Sequence, residues 1–248
     1  MQKYGESMKA AVESQAALIE LQRIDSAILA AQVKLNSLPE REQITAIHTR
    51  IAAGAIEIAS AEAELADVAI DLRRSEVDVE QVADRMTKDE NRLFSGTGTP
   101  KELEQLQHEL VTLAKRKAEL EDTELEIMMR HDAAKEKVAT FKSDEEGLQK
   151  LELELNIRLE NAATDCTREI QLQQSARTLV IPKIEEPLLA LYEKIRASEY
   201  GVGAALLIGN KCDGCHLIIN AVEIERIKSL PTDEVLRCED CRRILVRI

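Results

Sequence analysis

The chain has 248 residues, a formal net charge of −13, no Trp and only two Phe. Leu, Ile, Val and Ala supply its apolar content, which excludes a large aromatic core and points to long helices packed side by side. The acidic balance excludes a molecule that grips nucleic acid over its whole surface, but leaves room for a small basic site.

No apolar run approaches the roughly 18 residues of a membrane span, and the amino terminus lacks a signal-peptide core. A cytoplasmic location without a membrane partner is therefore expected. Residues 1–12 carry no helical signal and are expected to be flexible, with Met1 and Met8 both open as the natural start. From Glu13 an apolar seam begins. Leu21, Ile24, Ile28, Ala31, Leu35 and Leu38 alternate steps of three and four. Pro39 interrupts it, and Ser37 with Glu40 offers a capping box around a kink or short turn.

The seam resumes at Ile44 and keeps one phase to Leu93, with Gly54, Ser75 and Asp89 as its weak positions. A sustained seven-residue repeat requires a partner helix. Ser95–Pro100 supplies the reversal, since Gly96 and Gly98 can take positive φ. Thr99, Pro100 and Glu102 then form the N-cap, first helical position and capping-box acid of a new helix. That helix repeats the rhythm from Leu103 to Leu159, with Lys117, Glu124 and Glu145 as polar interruptions. The expected fold is mostly α, a long antiparallel coiled-coil hairpin over residues 13–180. Counting outward from the tip places Leu65 near the level of Arg130 and Leu21 near Gln174. It also returns the chain to its own amino-terminal end. Phe94 at the tip either packs across the turn or serves as a partner anchor.

Pro182 ends the second long helix. A short helix with Leu188, Leu191, Tyr192 and Ile195 on one face follows, then Gly201 and Gly203, then short β-prone runs at Ala204–Ile208 and Ile244–Ile248. Between those runs lie Cys212, Cys215, Cys238 and Cys241, two C-x2-C units. Two thiolates on a tight turn can face one ion, and two such turns complete a tetrahedron. One structural Zn²⁺ is expected, with iron left open by the ligands alone. Residues 181–248 are thus read as a separate small zinc-ribbon domain held by its metal. His216 is read as a surface or neighbouring residue, His48, His108 and His131 as solvated, and Cys166 as an ordinary helix residue.

The runs Leu18–Asp25 (Leu-Ile-Glu-Leu-Gln-Arg-Ile-Asp), Pro100–Gln107, Cys212–Cys215 and Cys238–Leu245 resemble the bacterial family that joins a long helical hairpin to a C4-type zinc ribbon. The resemblance covers nearly the whole chain. It implies kinship with flagellar or type III secretion chaperones and with proteins to which RNA binding is attributed. The Ala-rich helices resemble the actinobacterial branch, whose function is not settled.

No nucleophile–base set, phosphate loop or cofactor fingerprint is present in the sequence, so no enzyme is expected. Two functions remain. One is a protein-interaction scaffold or chaperone with a protein partner, using the tip at Phe94. The other is nucleic-acid binding through Lys211, Arg237, Arg242, Arg243 and Arg247. Against the second, residues 201–248 balance seven basic with seven acidic side chains and offer no aromatic stacking platform. The sequence leaves the oligomeric state open.

Overall fold

The computed structural model describes residues 8–247. Three long helices open the chain: α1 (Val12–Asn36), α2 (Glu40–Phe94) and α3 (Pro100–Val180). A single 3-10 turn at Ile181–Lys183 leads to α4 (Glu186–Ser198). The carboxy-terminal part holds β1 (Ala204–Ile208), β2 (Lys211–Cys212), α5 (Ala221–Ser229), β3 (Leu236–Arg237) and β4 (Ile244–Val246). Packing divides the chain into two compact units, one of residues 42–156 and one of residues 1–41 with 157–248.

The unit of residues 42–156 is an antiparallel hairpin. Along α2, burial falls on the expected line, from Ile47 through Ile58, Ala61 and Val68 to Ser75 and Asp89. Leu106, Ala134, Val138 and Leu155 answer from α3. Exposed ions tie the flanks, with Lys137 to Glu64 at 2.8 Å, Lys142 to Glu62 at 2.6 Å, and Arg85 to Glu109. Leu65 therefore lies level with the stretch between Arg130 and Lys137. His131 takes a half-buried seam position rather than a solvated one, and His48 pairs with Glu152 at 2.7 Å. At the tip Gly96 and Gly98 adopt φ of 63° and 148°. The Thr99 amide donates to Glu102 Oε2 at 2.7 Å, and the Glu102 amide returns a longer bond to Thr99 Oγ1 at 3.4 Å. The Thr99 amide, and after it the Thr99 hydroxyl at 2.9 Å, hold the Glu102 carboxyl below its usual pKa range.

The other unit corrects three expectations. Residues 181–248 do not pack by themselves. Leu18, Leu21 and Ile24 of α1 share one core with Val180, Leu188, Tyr192, Ile195 and the strands β1 and β4. Residues 8–12 are fixed rather than flexible: Ala10 N donates to Asp233 O at 2.8 Å and Val235 N to Met8 O at 2.9 Å, an isolated antiparallel bridge to the segment just before β3. Expectations for residues 1–7 lie outside the described residues. Finally, Ser37 does not cap α2. Its hydroxyl donates back to Val33 O at 2.9 Å, closing α1 instead.

Leu21 also sits further along than counting predicts. Lys183 reaches Glu20 and Arg177 reaches Asp25, about two turns past Gln174. The offset is already present within the hairpin, where Glu64 meets Lys137 and His48 meets Glu152, so it does not arise at the Pro39 break.

Candidate metal centre

The sheet order is β2-β1-β4-β3, with β1 parallel to β4 and the outer pairs antiparallel. This order sets β2, which carries Cys212, and β3, which leads into Cys238, on opposite sides of the parallel pair. The two knuckles repeat one backbone device. His216 N donates to Cys212 O at 2.8 Å and Arg242 N to Cys238 O at 3.0 Å, and both donors are left-handed, with φ of 62° and 64°. Each C-x2-C loop is thereby folded so that its two sulfurs converge.

All four sulfurs lie within 4.8 Å of one another. Cys212 Sγ stands 3.9 Å from Cys241 Sγ, and Cys215 Sγ stands 3.9 Å from Cys238 Sγ. A tetrahedral zinc thiolate site with Zn–S of about 2.3 Å has S···S edges of about 3.8 Å, so the donor set fits the ion. Electrostatics agree. Without a cation, burial pushes the Cys212 thiol up to about 12 and raises Cys238 as well. A dication reverses that preference by stabilising thiolates. Four sulfurs leave no position for water or substrate, so the metal is structural. His216 is exposed and stands outside the ligand set.

Residues 21–200 match the CT398-like coiled coil hairpin domain, and residues 211–245 match the C4-type zinc ribbon domain. The chain belongs to the CT398-like hairpin family. An uncharacterized protein of Mycobacterium tuberculosis is 30% identical over 244 residues, 97% of this chain and 98% of that relative. A solved structure from Mycobacterium smegmatis matches with a TM-score of 0.76 at 27% identity, covering 97% of this chain and all of that one. CT398 from Chlamydia trachomatis shares the fold, with a TM-score of 0.58 at 15% identity over 95% of this chain and 98% of that one.

Around the ribbon of this CT398-like protein, the basic residues divide. Arg243 donates to the carbonyls of Gly214 at 2.8 Å, Val202 at 3.2 Å and Glu199 at 3.3 Å. Arg247 is spread over the carbonyls of Ile227, Leu230 and Pro231. Both are thus used by the fold. Lys211, Arg237 and Arg242 are exposed, although Arg237 Nε donates to Arg242 O at 3.0 Å. Phe94 lies far from the ribbon in sequence and is 96% exposed, so it does not close the seam across the turn.

Two residues of the Leu18–Asp25 run have roles that the seam reading missed. Gln22 Oε1 accepts from Gly203 N at 2.7 Å and Ala204 N at 3.2 Å, while its Nε2 donates to Gly201 O at 3.1 Å. Asp25, with a side chain only 1% exposed, accepts from Tyr192 Oη and from Arg177 Nε, both at 2.8 Å. Burial, with the Asp25 charge beside it, raises the Tyr192 pKa. Gly203 is required here, since a Cβ would stand 2.7 Å from the Tyr192 carbonyl oxygen. The signal was legible: Leu18, Gln22 and Asp25 follow i, i+4, i+7 on one face, an odd place for polar side chains unless something answers them.

Proposed function

We propose that the protein is a non-enzymatic, cytoplasmic interaction scaffold of the adaptor or chaperone type, which engages a protein partner through the hairpin tip. The observation that carries this reading is the exposed ring of Phe94. A large aromatic side chain on a capped, rigid turn loses little conformational freedom on binding and makes an efficient anchor. The metal centre has no open ligand position for chemistry. The zinc ribbon then serves to hold its unit together.

The test is affinity capture with the full-length protein against its Phe94→Ala form, with a Lys211, Arg237, Arg242→Ala triple variant alongside. Loss of a specific protein partner only in the Phe94 variant supports the reading. Capture of RNA that weakens steeply with salt, and that disappears only in the triple variant, overturns it in favour of a nucleic-acid function.

A further inference from the structure

The face of α2 turned away from α3 carries a second apolar line. Ile56, Ile70 and Val77 are 73%, 53% and 42% exposed, and Ala52, Ala59, Ala63 and Ala66 fill the steps between them. Each of Ile56, Ala63, Ile70 and Val77 precedes a seam residue (Ile58, Leu65, Leu72, Val79) by two positions. The outer line therefore keeps the same seven-residue phase as the seam, and it runs straight along the supercoiled helix for about 38 Å. Such positions on a two-helix hairpin are ordinarily polar. A fixed heptad phase is a surface for another helix with the same repeat.

We infer that the occupant is a second copy of this chain, docked antiparallel through α2 about a two-fold axis beside Ala63 and Ala66. Side-chain size is self-complementary in that arrangement. Val77 meets Ala52, Ile70 meets Ala59, and Ala63 meets Ala66, so every bulky residue but one faces a methyl group. The exception places Ile56 against Arg73, whose aliphatic stem can lie along it with the charge at the rim. Charge chooses the orientation. A parallel pair would stack Arg73 on Arg73. The antiparallel pair opposes Glu62 to Ala69, Ser60 to Asp67 and Ala53 to Arg74, with no like charges facing. An isologous contact of this kind closes at two copies.

The inference is independent of the tip reading, because Phe94 takes no part in it. Sedimentation of the full chain loaded with zinc should give twice the 27.7 kDa chain mass at micromolar concentration. An Ile56→Glu, Ile70→Glu double variant should raise the dissociation constant at least about 100-fold, since burying unpaired carboxylates at both positions is costly. Its helicity and zinc content should be unchanged, because both residues are exposed in the single chain. Phe94→Ala should leave the dimer intact. A spin label on a non-natural amino acid at position 52 should report about 37 Å between copies, where a parallel pair gives about 10 Å. A monomer at all concentrations, a dimer that survives the double variant, or a short distance at position 52 overturns the inference.

Discussion

The first half of α1 and the length of α2 read alike as apolar seams, yet they bury polar groups in opposite ways. In α1, Ser14, Gln15, Gln22 and Asp25 are buried among apolar neighbours, and each is answered. Ser14 Oγ accepts from Glu185 N at 2.9 Å, Gln15 Nε2 donates to the carbonyls of Ala10 and Thr232, and Asp25 is held by Tyr192 and Arg177. In α2, Ser75 Oγ and Asp89 Oδ2 are buried without a hydrogen-bond partner, and Asp89 Oδ2 meets Arg85 Nε only at 3.9 Å. A two-helix seam has one facing surface, which supplies apolar side chains in register. The α1 half-helix is surrounded by α3, α4 and the sheet, so donors and acceptors come from several directions. Polar groups in the first region fix a unique packing, and in the second they loosen it.

The largest effect should come from the metal. Cys238→Ser, or removal of zinc by a chelator, should abolish a binding free energy of order 10–16 kcal/mol. Amide exchange should then report loss of protection around Ala205, Leu236 and Leu245, while the seam from Ile47 to Asp89 stays protected. Acid should do the same, because the four sulfurs must be thiolates to bind and protonation releases the ion. Uniform loss of protection along α2 would show that the two regions are not separable.

Asp25→Ala comes next. It leaves Arg177 and the Tyr192 hydroxyl without their acceptor, at a cost of about 3–5 kcal/mol in denaturant unfolding. Tyr192→Phe should cost less, about 1–2 kcal/mol. It should also remove an alkaline sensitivity. The Tyr192 pKa is raised on folding above its ordinary value of 10.0, so the associated stability is full below about pH 10 and declines as pH rises further. A wild-type stability that does not fall above pH 10, or falls equally in the Phe variant, would refute that assignment.

In the hairpin the sign reverses. Ser75→Leu should stabilise by about 1–2 kcal/mol, since it removes an unanswered polar group and adds apolar burial, and Asp89→Leu by less, since it also gives up the long ion pair with Arg85. The smallest effect is expected at Gly54, where an added Cβ meets nothing within 4 Å. Gly54→Ala should stabilise by up to about 1 kcal/mol through helix propensity alone. Destabilisation in either series would mean that the α2 positions have partners equivalent to those of α1.

The same contrast explains what the sequence disclosed. Periodicity gave the α2–α3 pairing because one seam with one partner is a one-dimensional problem. The tip was legible because Gly96, Gly98, Thr99 and Glu102 act within a few residues of each other. The metal ligands were legible because a C-x2-C pair is a local chemical constraint. Gln22 and Asp25 show in the sequence only as polar side chains on an apolar face, because the groups that answer them, Gly203 and Tyr192, lie 181 and 167 residues away. Arg243 and Arg247 enter the sequence reading as candidate nucleic-acid contacts for the same reason, since carbonyl acceptors leave no mark in composition. The exposure of Phe94 was undecided because a tip aromatic satisfies either reading locally.

Gln22 has a consequence for biosynthesis. Its side-chain oxygen waits for the amides of Gly203 and Ala204, which are made 181 and 182 residues later. At about 5–20 residues per second, that interval is on the order of 10–35 seconds. Throughout it Leu18, Leu21 and Ile24 have emerged from the ribosome without the strands that cover them. The hairpin of residues 42–156 can close in the meantime from local sequence, so the nascent chain carries a finished hairpin and an uncovered apolar first helix. Translation speed and the supply of holdase chaperones thus bear on the yield of this protein through its first helix, and least through the long helices that make up most of its mass.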